Sequence, residues 1–568
     1  MKNKNDIFYK ELCWSAFLVI LFLFVLLKSI QLQIFSYKYT DNYIDKKIYN
    51  EIIRTPKRGN ILDRNGSILV MSIPKYNVFL DADSIKNLKE LEKFLSSINI
   101  KLTNKNLQDI KNNKRYIPIA FELDKTIVDK IKDYKKTKKD FSIGIEEHFI
   151  RLYPEGNMLS HVLGIVDKNG TGLEGIEKIC NQRLAGQKVK VKRQKLGKRN
   201  LNEEFLDEKD LTGSDVWLTI DKRIQFIAEQ ELEQGIKKKK AKNGTIIVQN
   251  PYTGEILAMA SYPNYNPASK ISSTYVLRNP AISFVREPGS TFKIIVASAA
   301  LEENVFKTAD KINCEQGRFK VGKDVIKDHE KKGFISFSQV IEYSSNIGTA
   351  KIALKLGKEK FYKYIRLFGF GGKTGIDLNG EEGGLLKEPS LWSGRSLHTI
   401  SFGQEIATTP IQTINSFSAI ANGGILMKPL IIKSIGGIEY EKVPPGRRVI
   451  SEEVSSKMRQ ILKGVIDNGT GKNAKIEGYS VAGKTGTAQK IDKRIRKYST
   501  KYYLASFCGF VPATNPKVVI LVMIDEPEGD YYAASVATPI FAKVAERIMA
   551  YLNVEKDEVV KNKTKEKV

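Results

Sequence analysis

The pattern of apolar positions first singles out the amino-terminal segment. Residues 12–27 read LCWSAFLVILFLFVLL without a charge, and after Lys28 a second uncharged stretch continues to Tyr37. A helix of about 20 mainly apolar residues can cross a bilayer, and a lysine near its end can extend to the head groups. The run is long for a signal peptide, and no A-x-A cleavage site follows it. The pattern therefore predicts an uncleaved transmembrane anchor at residues 12–33.

The charges that flank the anchor predict its orientation. Three lysines precede it, and Asp6 and Glu11 partly offset them. Lysine and arginine flanks tend to stay on the cytoplasmic side. We therefore expect a single-pass protein of the cytoplasmic (inner) membrane, with residues 1–11 as a cytoplasmic tail and the rest outside.

A mixed pattern of helices and strands follows the anchor. Residues 34–57 are polar and predict a linker, and the turn signal RGNILDRNG at residues 58–66 then abuts an apolar, strand-like run. No catalytic constellation stands out as far as residue 210, so we expect a non-catalytic domain at residues 58–210. The lysine-rich stretch at residues 188–215 predicts either a solvated hairpin or a domain boundary.

From residue 211 onward the apolar runs become longer and more regular. RIQFIAEQEL has one apolar helical face, and GTIIVQN and GEILAMAS are two strand-like runs separated by a turn. Two further strand-like runs, YYLASFCGFVP and KVVILVMID, and a closing helix, IFAKVAERIMAYL, lie far downstream. Strands near both ends predict a sheet assembled from distant segments in an α+β domain at residues 211–552, followed by a disordered basic tail at residues 553–568.

Composition narrows the function classes. The net charge of +28 suits nucleic acid, anionic lipid or an acidic polymer, but the lysines are spread along the chain without a nucleic-acid-reading module. An envelope surface is therefore favoured, and no nucleic acid is expected. The four cysteines and four histidines are scattered, so we expect no metal site, no cofactor and no disulfide framework.

The first candidate site is EPGSTFK at residues 287–293. A Pro-Gly pair precedes Ser290, and the apolar run IIVASAALE follows Lys293, which predicts a helix beginning near the serine. At i and i+3 the two side chains share a helical face, and a lysine kept neutral by burial can accept the proton of a serine hydroxyl. The alternative is a helix cap beside a solvated lysine.

The second candidate is YSSNIG at residues 343–348, which again precedes an apolar helical run. Serine and asparagine also favour helix caps, which is the alternative interpretation. In the functional interpretation Ser344 relays protons to the leaving group, Asn346 holds a peptide amide and positions Lys293, and Ser345 is a bystander.

The third candidate is VAGKTGTAQ at residues 481–489. Residues 478–485 formally match the phosphate-loop pattern GxxxxGK[ST], but no hydrophobic strand precedes them and no helical pattern follows. We therefore expect a strand edge, with Lys484 in the catalytic set and Thr485, Gly486 and Thr487 binding the terminal carboxylate of a peptide.

The order S-x-x-K, S-x-N, K-T-G resembles the penicillin-binding proteins and serine β-lactamases. Over nearly the whole chain the sequence is similar to a class B penicillin-binding protein. The segments that carry this resemblance are RGNILDRNG, RLYPEGNMLSHVLG, GTGLEGIE, LTID, EPGSTFK, SSN, FGQEIATTPIQ, AGKTGTAQ and FCGFVPATNP. SSN, AGKTGTAQ and TGIDLNGE look more like the division-specific (septal) type, because the elongation-specific type carries an acidic residue where Asn346 stands.

The resemblance implies a multi-domain α+β protein with an anchor, a β-rich pedestal and a transpeptidase domain whose antiparallel sheet is flanked by helices. It implies acylation of Ser290 by stem peptides ending in D-Ala-D-Ala, trapping of Ser290 by β-lactams, and an oxyanion hole formed by the N–H groups of Ser290 and Thr487. A polytopic glycosyltransferase and other division proteins are the implied partners. One departure is DYYAASVATP, where Ala533 and Ala534 replace glycines of many relatives.

Other functions remain open at this point. Elongation-type cross-linking and hydrolysis of the acyl-enzyme, as in a D,D-carboxypeptidase or β-lactamase, use the same three motifs. A β-lactam sensor or an inactive division scaffold would be non-enzymatic alternatives.

Overall fold

The structure is a computed structural model that describes residues 2–35, 49–54, 56–187, 189–196, 199–203, 212–269, 271, 273–322, 324–440, 445–492 and 497–558. It forms two compact units. One comprises residues 1–57 and 186–212, and the other comprises residues 58–185 and 213–568.

The first unit contains the apolar amino-terminal helix. Helix α1 (Lys2–Ile30) continues as the π-helical turn Gln31–Phe35. Its apolar span, Phe8–Gln33, has a mean hydropathy of 2.4, and none of it is buried within the protein. The helix is long and apolar enough to cross a membrane, as expected for a single-pass membrane protein.

The same unit contains a small antiparallel sheet. Its strands, in the order β1-β6-β7, are β1 (Tyr49–Arg54), β6 (Val189–Leu196) and β7 (Arg199–Glu203). The lysine-rich stretch therefore contains two paired strands, and the segment predicted to be a linker contains a strand. Residues 36–48 of that predicted linker lie outside the described residues.

The second unit begins with a mixed sheet in the order β17-β16-β8-β2-β3-β4, with β5 also paired to β3. The strands are β2 (Ile61–Leu62), β3 (Ile68–Leu80), β4 (Ile117–Leu123), β5 (Ile143–Leu152), β8 (Val216–Leu218), β16 (Ile432–Ile435) and β17 (Ile438–Glu439). Strands β2 and β8 are parallel, so the segment VWL shares a sheet with the preceding domain.

Three amphipathic helices cover one part of this sheet. They are α2 (Leu88–Ser97), α3 (Asn104–Lys111) and α4 (Lys125–Lys138). Asn87 caps α2, and a capping box at Thr103 begins α3. Their apolar faces, including the fully buried Leu91 and Leu95, form a separate core with β3, β4 and β5.

A buried network of charged side chains joins three of the sequence motifs in this unit. Glu177 accepts bonds from Arg58 at 2.6 Å and from Arg151 at 2.7 Å, and Arg58 also donates to Asn181 at 2.8 Å. Removing one partner of such a network leaves an uncompensated buried charge. The motifs RGNILDRNG, RLYPEGN and GTGLEGIE therefore have a structural role here. The same part of the chain contains three short helices: α5 (Ser160–Leu163), α6 (Gly175–Ile179) and α7 (Asn181–Ala185).

The predicted sheet from distant segments is confirmed. Five antiparallel strands follow the order β10-β9-β21-β20-β19. They are β9 (Asn243–Gln249), β10 (Ile256–Tyr262), β19 (Ala482–Asp492), β20 (Lys497–Val511) and β21 (Val518–Asp525). Helices α8 (Lys222–Lys239) and α17 (Ala533–Tyr551) pack against it, and so does α15 (Pro410–Ala421).

The rest of this unit includes the buried helix that follows Ser290 and several helices that pack against it. The further helices are α9 (Pro280–Ser283), α10 (Lys293–Glu302), α11 (Phe337–Glu342), α12 (Asn346–Leu356), α13 (Lys358–Leu367), α14 (Ser396–Ser401) and α16 (Glu452–Asp467). Short antiparallel pairs are β11 (Lys311–Asn313) with β14 (Phe334–Ser336), β12 (Arg318–Val321) with β13 (Asp324–Lys327), and β15 (Ile425–Leu426) with β18 (Arg447–Arg448).

The first residues of the tail predicted at residues 553–568 contact the folded domain. Glu558 N donates to Gly478 O at 3.2 Å, and the hydroxyl of Tyr479 donates to Val554 O at 2.7 Å. Residues 554–558 thus contact the segment that leads into β19, and residues 559–568 lie outside the described residues.

Candidate active site

Ser290 lies on a tight helical turn. Gly289, with φ of +56°, begins a 3₁₀ turn, Gly289–Phe292, which runs directly into α10 at Lys293. Side chains at i and i+3 eclipse each other in a 3₁₀ turn, so Ser290 and Lys293 share a face. The helix predicted to begin near the serine is confirmed. Ser290 is half-buried, whereas Lys293 is fully buried.

The amine of Lys293 joins the first two motifs. Its Nζ donates to the carbonyl oxygen of Ser344 at 2.5 Å, to the Ser344 hydroxyl at 3.2 Å and to Asn346 Oδ1 at 2.7 Å. Within the described residues none of its hydrogen bonds goes to the Ser290 hydroxyl. Burial lowers the pKa of Lys293 to about 7, against the opposing effects of Asp328 and Cys314. Near neutral pH the amine therefore has a substantial unprotonated fraction.

The S-x-N motif forms the start of α12. Ser344 has a left-handed φ of +60°, and Asn346 is the first helical residue. Ser345 is buried and caps the helix, because its hydroxyl accepts a bond from Gly348 N at 2.9 Å. Ser345 therefore has the capping role that the sequence offered as the alternative, and its expected part as a bystander in the chemistry stays a prediction.

The K-T-G motif lies on β19, which pairs with β20 and forms an edge of the five-stranded sheet. Lys484 is fully buried, and burial together with the charge of Lys293 lowers its pKa. The hydroxyl of Thr485 is 2.7 Å from that of Thr470, and the Thr487 hydroxyl accepts a bond from Ala533 N at 3.1 Å. Strand β19 continues to residue 492, whereas a phosphate loop would lead into a helix here.

Close backbone approaches hold this strand against the serine turn. A Cβ on Gly486 would lie 2.9 Å from Cγ2 of Thr291 and 3.1 Å from the carbonyl oxygen of Pro288. Gly289 N donates to Gly403 O at 3.1 Å on another side of the turn, and a Cβ on Gly403 would lie 2.1 Å from Gly289 O. The structure thus brings all three motifs together in one site.

The two alanines at the departure from the family pattern begin α17. Ala533 contacts Thr487 as described, and Ala534 O accepts a bond from Asn473 at 2.7 Å. Both alanines are in a helical conformation, which requires no glycine. Ala533 therefore still contacts the K-T-G strand.

Sequence reasoning missed a polar layer behind the serine turn. Glu287 accepts bonds from Glu405 N at 3.0 Å and from the Tyr498 hydroxyl at 3.1 Å. Glu405 in turn accepts from Ser396 at 2.6 Å and Thr399 at 2.8 Å. The segments EPGS and FGQE carry two of these residues, but nothing in their spacing indicates that they meet.

A serine on a helical turn, a buried lysine with a lowered pKa and an edge strand with K-T-G form the arrangement of a serine acyl-transferring enzyme. The family model described as penicillin binding protein transpeptidase domain matches residues 244–546, and that described as penicillin-binding protein dimerisation domain matches residues 53–218. The chain therefore belongs to the family of penicillin-binding protein transpeptidases, as the sequence motifs predict.

Individual relatives agree with this assignment. The chain is 35% identical to stage V sporulation protein D of Bacillus subtilis, over 88% of this chain and 79% of that protein. It is 33% identical to the peptidoglycan D,D-transpeptidase FtsI of Buchnera aphidicola, over 96% of this chain and 95% of that protein. A crystal structure of penicillin binding protein 3 of Mycobacterium tuberculosis, in complex with aztreonam, matches with a TM-score of 0.70 and 28% identity, over 90% of this chain and 99% of that chain.

Proposed function

We propose that this protein is a peptidoglycan D,D-transpeptidase of septal wall synthesis, with Ser290 as its nucleophile. The observation that carries the proposal is the buried amine of Lys293, bonded to Ser344 and Asn346 one helical turn after Ser290. The relative from Buchnera aphidicola is named a peptidoglycan D,D-transpeptidase, which supports the substrate class.

In the acylation step, the Ser290 hydroxyl oxygen attacks the carbonyl carbon of the penultimate D-Ala, and its proton passes to unprotonated Lys293. The N–H groups of Ser290 and Thr487 stabilise the oxyanion, and each such donor contributes about 3 kcal/mol. The C–N bond then breaks. The proton moves from Lys293 through the Ser344 hydroxyl to the departing amine, so free D-Ala leaves an ester on Ser290.

In the transfer step, an amine from a neighbouring stem peptide attacks this ester. Lys293 takes the proton of the attacking amine, the ester C–O bond breaks, and Ser290 recovers its proton. The new amide is the cross-link. Asn346 holds the amide of the donor peptide, while Lys484, Thr485, Gly486 and Thr487 bind the donor along the free edge of β19. β-Lactams acylate Ser290 by the same first step and stay attached.

The other parts of the chain hold the transpeptidase domain at the outer face of the membrane. We assign residues 1–11 to a cytoplasmic tail, 12–33 to the anchor, 34–57 to a linker, 58–210 to a pedestal, 211–552 to the transpeptidase domain and 553–568 to a basic tail. A polytopic glycosyltransferase that makes the glycan strands is the proposed partner at the septum. Protease added to intact spheroplasts should digest residues beyond the anchor; full protection would contradict this orientation.

Labelling with fluorescent penicillin tests the nucleophile. We expect the full-length wild-type protein to be labelled and Ser290→Ala to be unlabelled at equal folded concentration. Equal labelling of both would exclude Ser290. Incubation with a donor thioester and a D-amino acid then separates transfer from hydrolysis, and a fluorescent fusion at midcell supports the septal role over a side-wall role.

A further inference from the structure

A carboxylate that none of the three motifs contains lies behind the S-x-N turn. Asp328 follows β13, and its Oδ1 accepts bonds from Asn346 N at 2.6 Å and Ile347 N at 3.0 Å. Its Oδ2 accepts from the Ser345 hydroxyl at 2.6 Å. The side chain thus satisfies donors at the first turn of α12 from a segment 18 residues earlier in sequence.

The residue before Asp328, Lys327, also contacts Asn346. Asn346 Nδ2 donates to Lys327 O at 3.1 Å, while Asn346 Oδ1 accepts from Lys293. These two bonds determine which end of the amide faces the lysine. They leave one N–H of Asn346 for a bound peptide. The orientation of Asn346 therefore depends on the backbone and side chain of two adjacent residues.

The hairpin that carries Asp328 is itself tied to α12. Lys351 of α12 pairs with Glu315 at 2.5 Å, and its amine lies 4.9 Å from the ring centroid of Phe319 on β12. Asp328 N donates to Gly317 O at 3.2 Å. These contacts hold the segment that carries Asp328 against α12, so they fix the position of its carboxylate.

We propose that Asp328 is a positioning residue of the acyl-transfer reaction, which holds Ser344 and Asn346 against the amine of Lys293. The inference rests on the proposed function, because it concerns the rate at which Ser290 is acylated. Asp328 touches neither Ser290 nor the K-T-G strand within its described hydrogen bonds, so it acts through the S-x-N turn.

The negative charge of Asp328 has a second consequence. It raises the pKa of Lys293, against the larger lowering by burial, and Cys314 acts in the same direction. Two other groups face this amine. Desolvation and then the charge of Lys293 lower the pKa of His329, and burial and then Lys293 lower that of Lys484. Removing the charge of Asp328 should therefore lower the pKa of Lys293.

The test compares Asp328→Asn and Asp328→Ala with Glu330→Gln, an exposed carboxylate on the same segment. The rate of labelling by fluorescent penicillin is measured with full-length protein from pH 5.5 to 9. Asp328→Asn keeps an oxygen that accepts from the two backbone N–H groups, but it removes the negative charge. The pH range over which its labelling rate rises should therefore move to lower values. Asp328→Ala should lower the plateau rate on the order of tenfold, because the donors lose a charged acceptor. Glu330→Gln should match the wild type.

Different outcomes would contradict Ser290 as the nucleophile and Asp328 as a positioning residue. Equal labelling of wild type and Ser290→Ala overturns Ser290 as the nucleophile. A pH profile of Asp328→Asn that overlays the wild type overturns Asp328 as a positioning residue, and so does a wild-type plateau rate in Asp328→Ala. If Asp328→Ala does not fold, as judged by its melting curve, the profile of Asp328→Asn decides.

Discussion

Lys293 Nζ lies 2.7 Å from Asn346 Oδ1, although 53 residues separate the two in sequence. The contact requires a fully buried lysine and a helix whose first residue points at it. An ammonium group in such a place is costly unless its protons are bonded, and an unprotonated amine costs much less. The pair therefore links the fold of α12 to the protonation state of the proposed general base.

The pH dependence of acylation should report this lysine. With a pKa of about 7, Lys293 is mostly protonated at pH 6 and mostly unprotonated at pH 8. Because the unprotonated amine accepts the Ser290 proton, the rate of labelling by fluorescent penicillin should rise with pH through neutrality, by roughly eightfold to tenfold between pH 6 and 8. A rate that is flat over this range, in protein whose melting curve is unchanged, would count against Lys293 as the base.

Asn346→Asp should move this profile in the opposite direction from Asp328→Asn. A carboxylate 2.7 Å from the amine favours the ammonium form and raises the pKa of Lys293. The rising limb of the acylation rate should therefore shift to higher pH, with slower labelling at pH 7. Asn104→Asp, at the exposed start of α3, is the matched control and should leave the profile in place.

Gly486→Ala should move the K-T-G strand, β19, away from the turn that carries Ser290. The added Cβ would lie 2.6 Å from Ser506 Oγ and 2.9 Å from Thr291 Cγ2, and neither neighbour is the free end of a long side chain. We expect labelling at least about tenfold slower, because displacements on the scale of 1 Å at a site can cost about a hundredfold. Gly394→Ala, where an added Cβ meets nothing within 4 Å, is the control. Equal rates in both variants would contradict the proposed convergence.

The pattern of apolar residues predicted the longest elements of the fold and, within the site, the helix after Ser290. The anchor, the strands GTIIVQN, GEILAMAS and KVVILVMID, and the helix after Ser290 are long, regular runs, and these are the segments that local pattern identifies best. The K-T-G segment was expected at a strand edge because no helical pattern follows it, and the structure confirms β19 there.

Contacts between distant short segments could not be predicted in this way. Asp328 lies after a strand of four residues with no clear alternation, so nothing local indicates that its carboxylate caps α12. Strand β8 has three residues, too few to show that it pairs with β2 of the preceding domain. The Ser345 hydroxyl donates to the same carboxylate, a contact that the local sequence does not indicate.

The carboxyl-terminal segment supplies the last prediction. Asp557 accepts bonds from Ser480 N at 2.7 Å, from the Ser480 hydroxyl and from the Thr514 hydroxyl at 2.7 Å, just ahead of β19. Asp557→Ala leaves these donors without their charged acceptor, and we expect it to lower the melting temperature by roughly 2 °C or more. Glu555→Ala removes an exposed carboxylate two residues away and controls for the change in net charge. Equal melting temperatures of the two variants would show that the segment does not hold the entrance to the K-T-G strand.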